Sequence, residues 1–378
     1  MRRFPDNDII SLVRDTPRYD LGESLGPDLR LAELLEASDP SGLGEISLSY
    51  VTAEGDPRLR QAIADWHDVE PDDVVVTVGC MHALFLVAFI VCDVDSEAVT
   101  SSPLFPLARN VLDAVGARVR PLSLSFDQGY QPDLAEFRAL LSERTRLVSL
   151  ASPQNPSGVA IPAKTLSEML DLMERVCPAA YLLIDETYRA ATLGDDPEAA
   201  SAIALSPRII SVASLSKCHG APGLRLGWAV TRDAVLCKQL VLAKFNTVIS
   251  CSALDEALAL RVFERRDRII GERHRLRTDG LARTADWVME NSGLVDWIRP
   301  DAGALCCVRL KPSVFDDAAV SRFYEALASE GIRVANGNWF GDEARVFRLG
   351  FGLLAIPDLE AALKLLAAGL RQTLRKAA

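Results

Sequence analysis

Short β-branched runs alternate with helical stretches along much of this chain, and that alternation limits the fold more than any other feature. Asp73-Val74-Val75-Val76-Thr77-Val78 reads as a strand that breaks at Gly79 and leads into a helix. Ala98–Ser101, Ala117–Arg120, Arg146–Leu150, Ala180–Ile184, Arg208–Val212 and Leu226–Val230 read as further strands. Helices are predicted near Asp133–Ser142 and at Ala163–Val176. Strands this apolar must be covered on both faces, so the pattern predicts an α/β fold with a parallel or mixed sheet between helices. Near Ser252 the texture changes. A long helical run from Leu254 to about Asn291 is followed by short strands (Ala304–Leu310, Arg333–Ala335, Val346–Leu349) and helices (Phe315–Ser329, Leu359–Arg375). This predicts a second, smaller α/β domain. The expected division is 1–45 as an N-terminal arm and part of the small domain, 46–258 as the large domain, and 259–378 as the C-terminal small domain.

Composition excludes several functions. Lys+Arg 41 against Asp+Glu 52 gives a net charge of −11 over 378 residues. That balance argues against nucleic acid or an anionic membrane surface as partner, since both need clustered cations. The ten-residue apolar run Ala83–Cys92 is half of the ~20 residues that cross a bilayer. Residues 1–8 lack the apolar stretch of an export signal. The eight cysteines show no CxxC spacing and read as reduced, mostly buried thiols of a cytoplasmic protein. The four histidines have no ligand spacing, so no metal site is expected. Arg261, Arg265, Arg266, Arg268, Arg273, Arg275 and Arg277 are interleaved with Glu264, Asp267 and Glu272. They read as a solvated, salt-bridged helix face.

The chemistry-bearing residues lie in loops that follow predicted strands, where ligands sit in open α/β sheets. There is no GxxxxGK[ST] loop, GxGxxG, HExxH or GxSxG. What stands instead is three blocks. In Ser152-Pro153-Gln154-Asn155-Pro156-Ser157-Gly158, two prolines and a glycine hold the turn and leave Asn155 as a polar finger. In Leu183-Ile184-Asp185-Glu186-Thr187-Tyr188, an acid follows a buried strand and needs a partner, for which a cationic ring nitrogen is suited. In Ser214-Leu215-Ser216-Lys217, followed by Gly223-Leu224-Arg225, hydroxyls and a guanidinium suit a phosphate while the lysine suits an imine.

Together these blocks resemble the fold-type-I pyridoxal-5′-phosphate (PLP) enzymes, and within them the class I/II aminotransferases related to aspartate aminotransferase. The resemblance runs from about Tyr19 to the end. It implies a large domain with a mostly parallel seven-stranded sheet sandwiched by helices, plus a smaller α/β domain. It implies that Lys217 holds PLP as an internal aldimine and shuttles the α-proton. It implies that Asp185 pairs with the pyridinium nitrogen, and that Asn155 and Tyr188 bind the phenolic oxygen. Ser214, Ser216 and Arg225 would grip the phosphate, with backbone N–H groups of Gly79, Cys80 and Met81 at a helix N-terminus. Phe105 would stack on the ring. Tyr50 would reach the partner subunit's phosphate, implying a homodimer. Arg348 would bind the substrate α-carboxylate, with Asn155 and Gly22 beside it, and Leu21-Gly22-Glu23-Ser24 would close over the substrate. Cys80, Met81 and Phe105 depart from the family's usual residues. The region Lys244-Phe245-Asn246 lacks the second arginine of dicarboxylate-specific members.

The expected activity is transfer of an amino group between an L-amino acid and a 2-oxo acid. The alternative is another PLP reaction on an amino acid (elimination, oxidation or cyclisation, for example in secondary metabolism). A PLP-sensing transcription regulator is disfavoured, because no basic patch precedes Ser49.

Overall fold

The computed structural model describes residues 17–24, 26–34 and 46–375. The expectation about residues 1–8, and part of the expected arm 1–45, lie outside the described residues. Tyr19–Asp20 forms β1, Val74–Thr77 β2, Glu97–Ser102 β3, Arg118–Ser123 β4, Thr145–Ala151 β5, Tyr181–Asp185 β6, Ile209–Ser214 β7 and Gly227–Thr231 β8. The chain continues through β9 (Val295–Ile298), β10 (Leu305–Leu310), β11 (Ile332–Arg333), β12 (Ala335–Asn336) and β13 (Val346–Gly350). Seven strands make one sheet in the order β2-β8-β7-β6-β5-β3-β4. β8 is antiparallel to both β2 and β7, and the other pairings are parallel. The seven-stranded, mostly parallel sheet between helices is therefore as expected.

This order decides where a site can form. β2, β3, β5, β6 and β7 run in one direction, so their carboxyl ends share one edge of the sheet. β8 runs the other way, so its beginning lies at that same edge, with Gly227 opposite both Thr77 and Ser214. Helices cover both faces, because Val74, Val76, Leu182 and Ile184 join one apolar cluster while Val75, Leu183, Ile210 and Val212 join another. Successive residues of a strand point to opposite faces, and here both are buried.

A four-stranded antiparallel sheet, β12-β13-β10-β9, builds the smaller unit. β1 pairs in parallel with β11, tying Tyr19–Asp20 to the C-terminal region. The predicted single run from Leu254 is two helices, Ala253–Glu264 and Arg266–Glu290, meeting at Arg265 with φ −107° and ψ 10°. Val262, Ile269 and Ile270 pack in the large unit's core, and Leu281 and Trp287 in that of the smaller one. The second helix is thus a strut shared by both cores.

Gly227 is a close approach rather than a flexible point. A Cβ there would sit 2.6 Å from the Cys80 amide nitrogen and 2.7 Å from the Ala213 carbonyl oxygen. Backbone cannot yield as a side-chain tip does. Gly227→Ala is expected to cost about 1–3 kcal/mol and to part β8 from the Gly79 turn, read as a lower thermal midpoint.

Candidate active site

Glu186 and Asp185 are neighbours, and packing assigns them opposite fates. Glu186 is buried and accepts from Ser201 Oγ at 2.7 Å, Ser211 Oγ at 2.6 Å and the Ala202 amide at 2.5 Å. His67 lies 3.7 Å from it. Trp228 Nε1–H donates to His67 Nε2 at 3.0 Å, which places the ring proton on Nδ1, 3.0 Å from Ser201 Oγ. Burial, then the Arg189 charge, holds the His67 pKa well below its usual value, so the ring is neutral. Glu186 is consumed by this network beneath the sheet edge.

Asp185 is left facing the edge. It accepts from the Thr187 amide at 3.0 Å. Burial raises its pKa, opposed by hydrogen bonds from Thr187 and from the Cys80 thiol. Among the described residues it makes no ion pair, so a cationic group arriving here meets an unclaimed carboxylate. Burial, then the Asp185 charge, holds the Cys80 thiol protonated. The sequence reading gave Cys80 only a backbone role, and its side-chain contact follows from β2 and β6 ending at one edge.

The start of helix Gly79–Val91 carries no side-chain cap, so its first N–H groups are open to an anion. Gly79 takes φ +72°. A Cβ on it would come within 2.5 Å of Arg225 Nη2. Arg225 itself is in the left-handed region at φ 49° and donates from Nη1 to the Pro222 carbonyl at 3.0 Å. Ser214 is buried at the end of β7, and its Oγ accepts from the Ser216 amide at 3.4 Å. Helix terminus, the Ser214 hydroxyl, the Ser216 amide and a guanidinium thus meet where β2, β7 and β8 adjoin.

Lys217 follows directly. Its pKa is lowered by burial first, while Glu23 and Asp28 oppose this and Arg348 and Arg225 add to it. Across the site, β13 presents Arg348, which is 2% exposed. Its Nη1 donates to Asn155 Oδ1 at 2.7 Å and its Nη2 to the Gly22 carbonyl at 2.5 Å, while Nε has no partner. Asn155 is positioned by a closed loop in which Gly158 N–H donates to Gln154 O at 2.7 Å. Gly158 must be glycine, since a Cβ would strike the Ala302 and Leu305 carbonyls within 2.8 Å at φ +74°. Tyr188 Oη donates to Ser24 Oγ at 2.9 Å, a partner that the sequence reading did not pick out. Phe105 packs with Ala335 and Phe340, and Phe340 lies beneath the Arg348 guanidinium at 4.8 Å. Tyr50 is 78% exposed in the single chain.

The sequence model of aminotransferase class I and II matches residues 10–364. The chain belongs to that family. It is a PLP-dependent enzyme. Its relatives include a capreomycidine synthase from Streptomyces vinaceus, 32% identical over 332 residues, 86% of this chain and 83% of that one. They also include the arginine–pyruvate transaminase of Pseudomonas aeruginosa, 29% identical over 82% of this chain and 80% of that one. Among solved structures, an aminotransferase from Streptococcus suis superposes with a TM-score of 0.87 at 23% identity, covering 99% of each chain. A PLP-dependent cyclase, OrfR, superposes with a TM-score of 0.85 at 24% identity, covering 100% of this chain and 99% of that one.

The residues present fit PLP. An uncapped helix start with Arg225 suits a phosphate dianion, an unpaired buried carboxylate suits a ring N–H, and a desolvated lysine suits an aldehyde. Asp185 also gives a pH prediction for the apoprotein. Its folded pKa is raised above an unfolded value of ~3.9, so its contribution to stability is full below that value. It is lost as pH rises through the folded value. The thermal midpoint of the apoprotein is expected to carry this loss, and Asp185→Asn to remove it from the pH curve.

Proposed function

We propose that this enzyme is an aminotransferase acting between an L-amino acid and a 2-oxo acid, with Lys217 as the cofactor-bearing lysine and proton carrier. The observation that carries the reading is the placing of Arg348. It is a buried guanidinium held by a carbonyl and an amide oxygen, with Nε unpaired and its charge felt at Lys217. Its hydrogen-bond acceptors are neutral, the Glu23 and Asp20 charges reach it with no ion pair among the described residues, and a substrate α-carboxylate would supply a direct counter-charge bidentately.

The bound cofactor supplies an electron sink for the pair released when the substrate Cα–H is cleaved. Asp185 would sustain that sink by keeping the ring nitrogen protonated. Arg225, Ser214, Ser216 and the N–H groups of Gly79, Cys80 and Met81 would hold the phosphate. Asn155 and Tyr188 would bind the phenolic oxygen, and Phe105 would stack on the ring. Lys217, with its pKa lowered by burial, is neutral over more of the pH range than an exposed lysine and accepts the Cα proton. Gly22 and Ser24 would cover the substrate side.

Lys217→Ala is expected to abolish turnover, by ~10³-fold or more, together with the visible absorbance of lysine-joined cofactor. Turnover with that absorbance intact would remove Lys217 from the role. A second reading, cyclisation or another PLP reaction, is favoured by the identity to a capreomycidine synthase. Conversion of the cofactor to its amine form by one amino acid, restored by an oxo acid, separates transamination from it.

A homodimer completes the proposal, with Tyr50 reaching the partner's phosphate. Leu48 and Tyr50 are exposed, and so are Leu242, Phe245, Val248 and Ile249 on and just beyond helix Ala234–Val248. The Val76 amide donates to Glu54 O at 2.9 Å, bringing the Tyr50 segment beside β2, against which that helix packs. An apolar face of this kind marks a protein contact. Phe245→Asp is expected to halve the sedimentation mass and to lower activity together with it. A wild-type monomer with full activity would reject the shared site.

A further inference from the structure

Arg273 and Arg277 stand one turn apart on helix Arg266–Glu290, and they are not on the solvated face that the charge pattern predicted. They are 8% and 5% exposed. Arg273 Nη1 donates to the Pro27 carbonyl at 2.6 Å, and Nη2 has no partner. Its guanidinium lies where a Cβ on Gly220 would come within 2.4 Å. Arg277 Nη2 reaches the Ala190 carbonyl at 3.5 Å, and Nε has no partner. Among the described residues neither makes an ion pair. Asp28 and Glu33, whose charges reach Arg273, are both exposed. Burial brings the Arg277 pKa down to about 10.

Both arginines line a small cavity of about 20 Å³, whose other walls include Ser24, Tyr188 and Lys217. Among the described residues no acid lines this cavity. Cys218 lies closest in charge, but burial pushes its thiol up to about 11 and it donates to the Thr187 carbonyl at 3.0 Å. A neutral thiol compensates no charge. Two cations taken out of water with carbonyls as their only acceptors are costly, and an anion bound between them removes that cost.

We propose that Arg273 and Arg277 form an anion subsite beside Lys217, taking one carboxylate group, supplied by a dicarboxylic amino or oxo acid or by a free small anion. The region Lys244-Phe245-Asn246 lacks the second arginine expected of the family's dicarboxylate-specific members, and this pair offers charge from a different element. The inference rests on the reading of the Lys217 cavity as an amino-acid site.

The test titrates the holoenzyme, in a buffer whose counter-anion is a bulky sulfonate such as HEPES and at constant ionic strength, with chloride, acetate or glutarate while following its thermal midpoint. Small anions are expected to raise the midpoint at millimolar concentration. Arg277→Gln is expected to weaken that response about tenfold, and Arg277→Lys, which keeps the charge, to weaken it less. Leu276→Glu changes an exposed neighbour and brings a tethered carboxylate to the same cavity. It is expected to blunt the response with both arginines in place. Glutarate outdoing acetate about tenfold, with the advantage lost in Arg277→Gln, assigns the group to the substrate. Equal responses assign it to a free ion. A midpoint indifferent to replacing the sulfonate, or a response unchanged in Arg277→Gln, overturns the subsite. Such a result in an enzyme that still transaminates leaves the amino-acid reading standing. Loss of that reading would show instead as wild-type protein without turnover or cofactor absorbance.

Discussion

Charged groups are held out of water at one edge of the sheet, and the rest of the structure is arranged around that cost. Asp185 ends β6 and Lys217 follows β7, its immediate neighbour in the sheet. Burial pushes the carboxyl pKa up and the amine pKa down, so each neutral form is favoured relative to water. Such groups persist where surrounding backbone is rigid and their partners arrive with a ligand. The parallel strands supply the rigidity. Their apolar faces are buried on both sides, so the loops at their ends start from immovable points.

The second unit brings its own desolvated charge. Arg348 crosses from β13 to Asn155 on the large unit and to Gly22 on the N-terminal segment. One guanidinium therefore touches three parts of the chain. The Leu21 amide donates to Arg333 O at 2.9 Å, and the Gly350 amide to Leu21 O at 2.7 Å, so the segment is laced to β11 and β13. On the proposed reading, the substrate side of the site is built from strands of the smaller sheet and the cofactor side from the larger one. Movement of one unit against the other would alter the substrate contacts and leave the cofactor contacts in place.

Strands were legible because their apolar β-branched runs are short and bounded by glycine, proline or charge, as at Val76 and Ile184. Four helices among the described residues were not read from the sequence: Leu31–Leu34, Pro57–His67, Pro106–Val115 and Ala234–Val248. Asp56 and Asp233 cap two of them through first-turn amides, whereas Pro106–Val115 starts with no side-chain cap and Leu31–Leu34 is a single turn. Strand β9 was missed for a different reason. Val295-Asp296-Trp297-Ile298 holds four residues with a charged one inside and is too short to stand out from a turn. Arg265 interrupts a helical pattern that reads as unbroken, since arginine is an ordinary helix former.

The sequence by itself determined the alternating architecture and the residue types of the site, because periodicity and the chemistry of Lys, Asp, Ser and Arg are local properties. Tertiary structure alone decided which of two adjacent acids faces the site. Asp185 is free because Ser201, Ser211 and the Ala202 amide claim Glu186. It also decided that Arg273 and Arg277, one turn apart in a helix dense with charge, point inward while their neighbours do not. Burial is a property of what packs against a face, and for that helix the covering comes from Pro27, Ala190 and Gly220, far away along the chain.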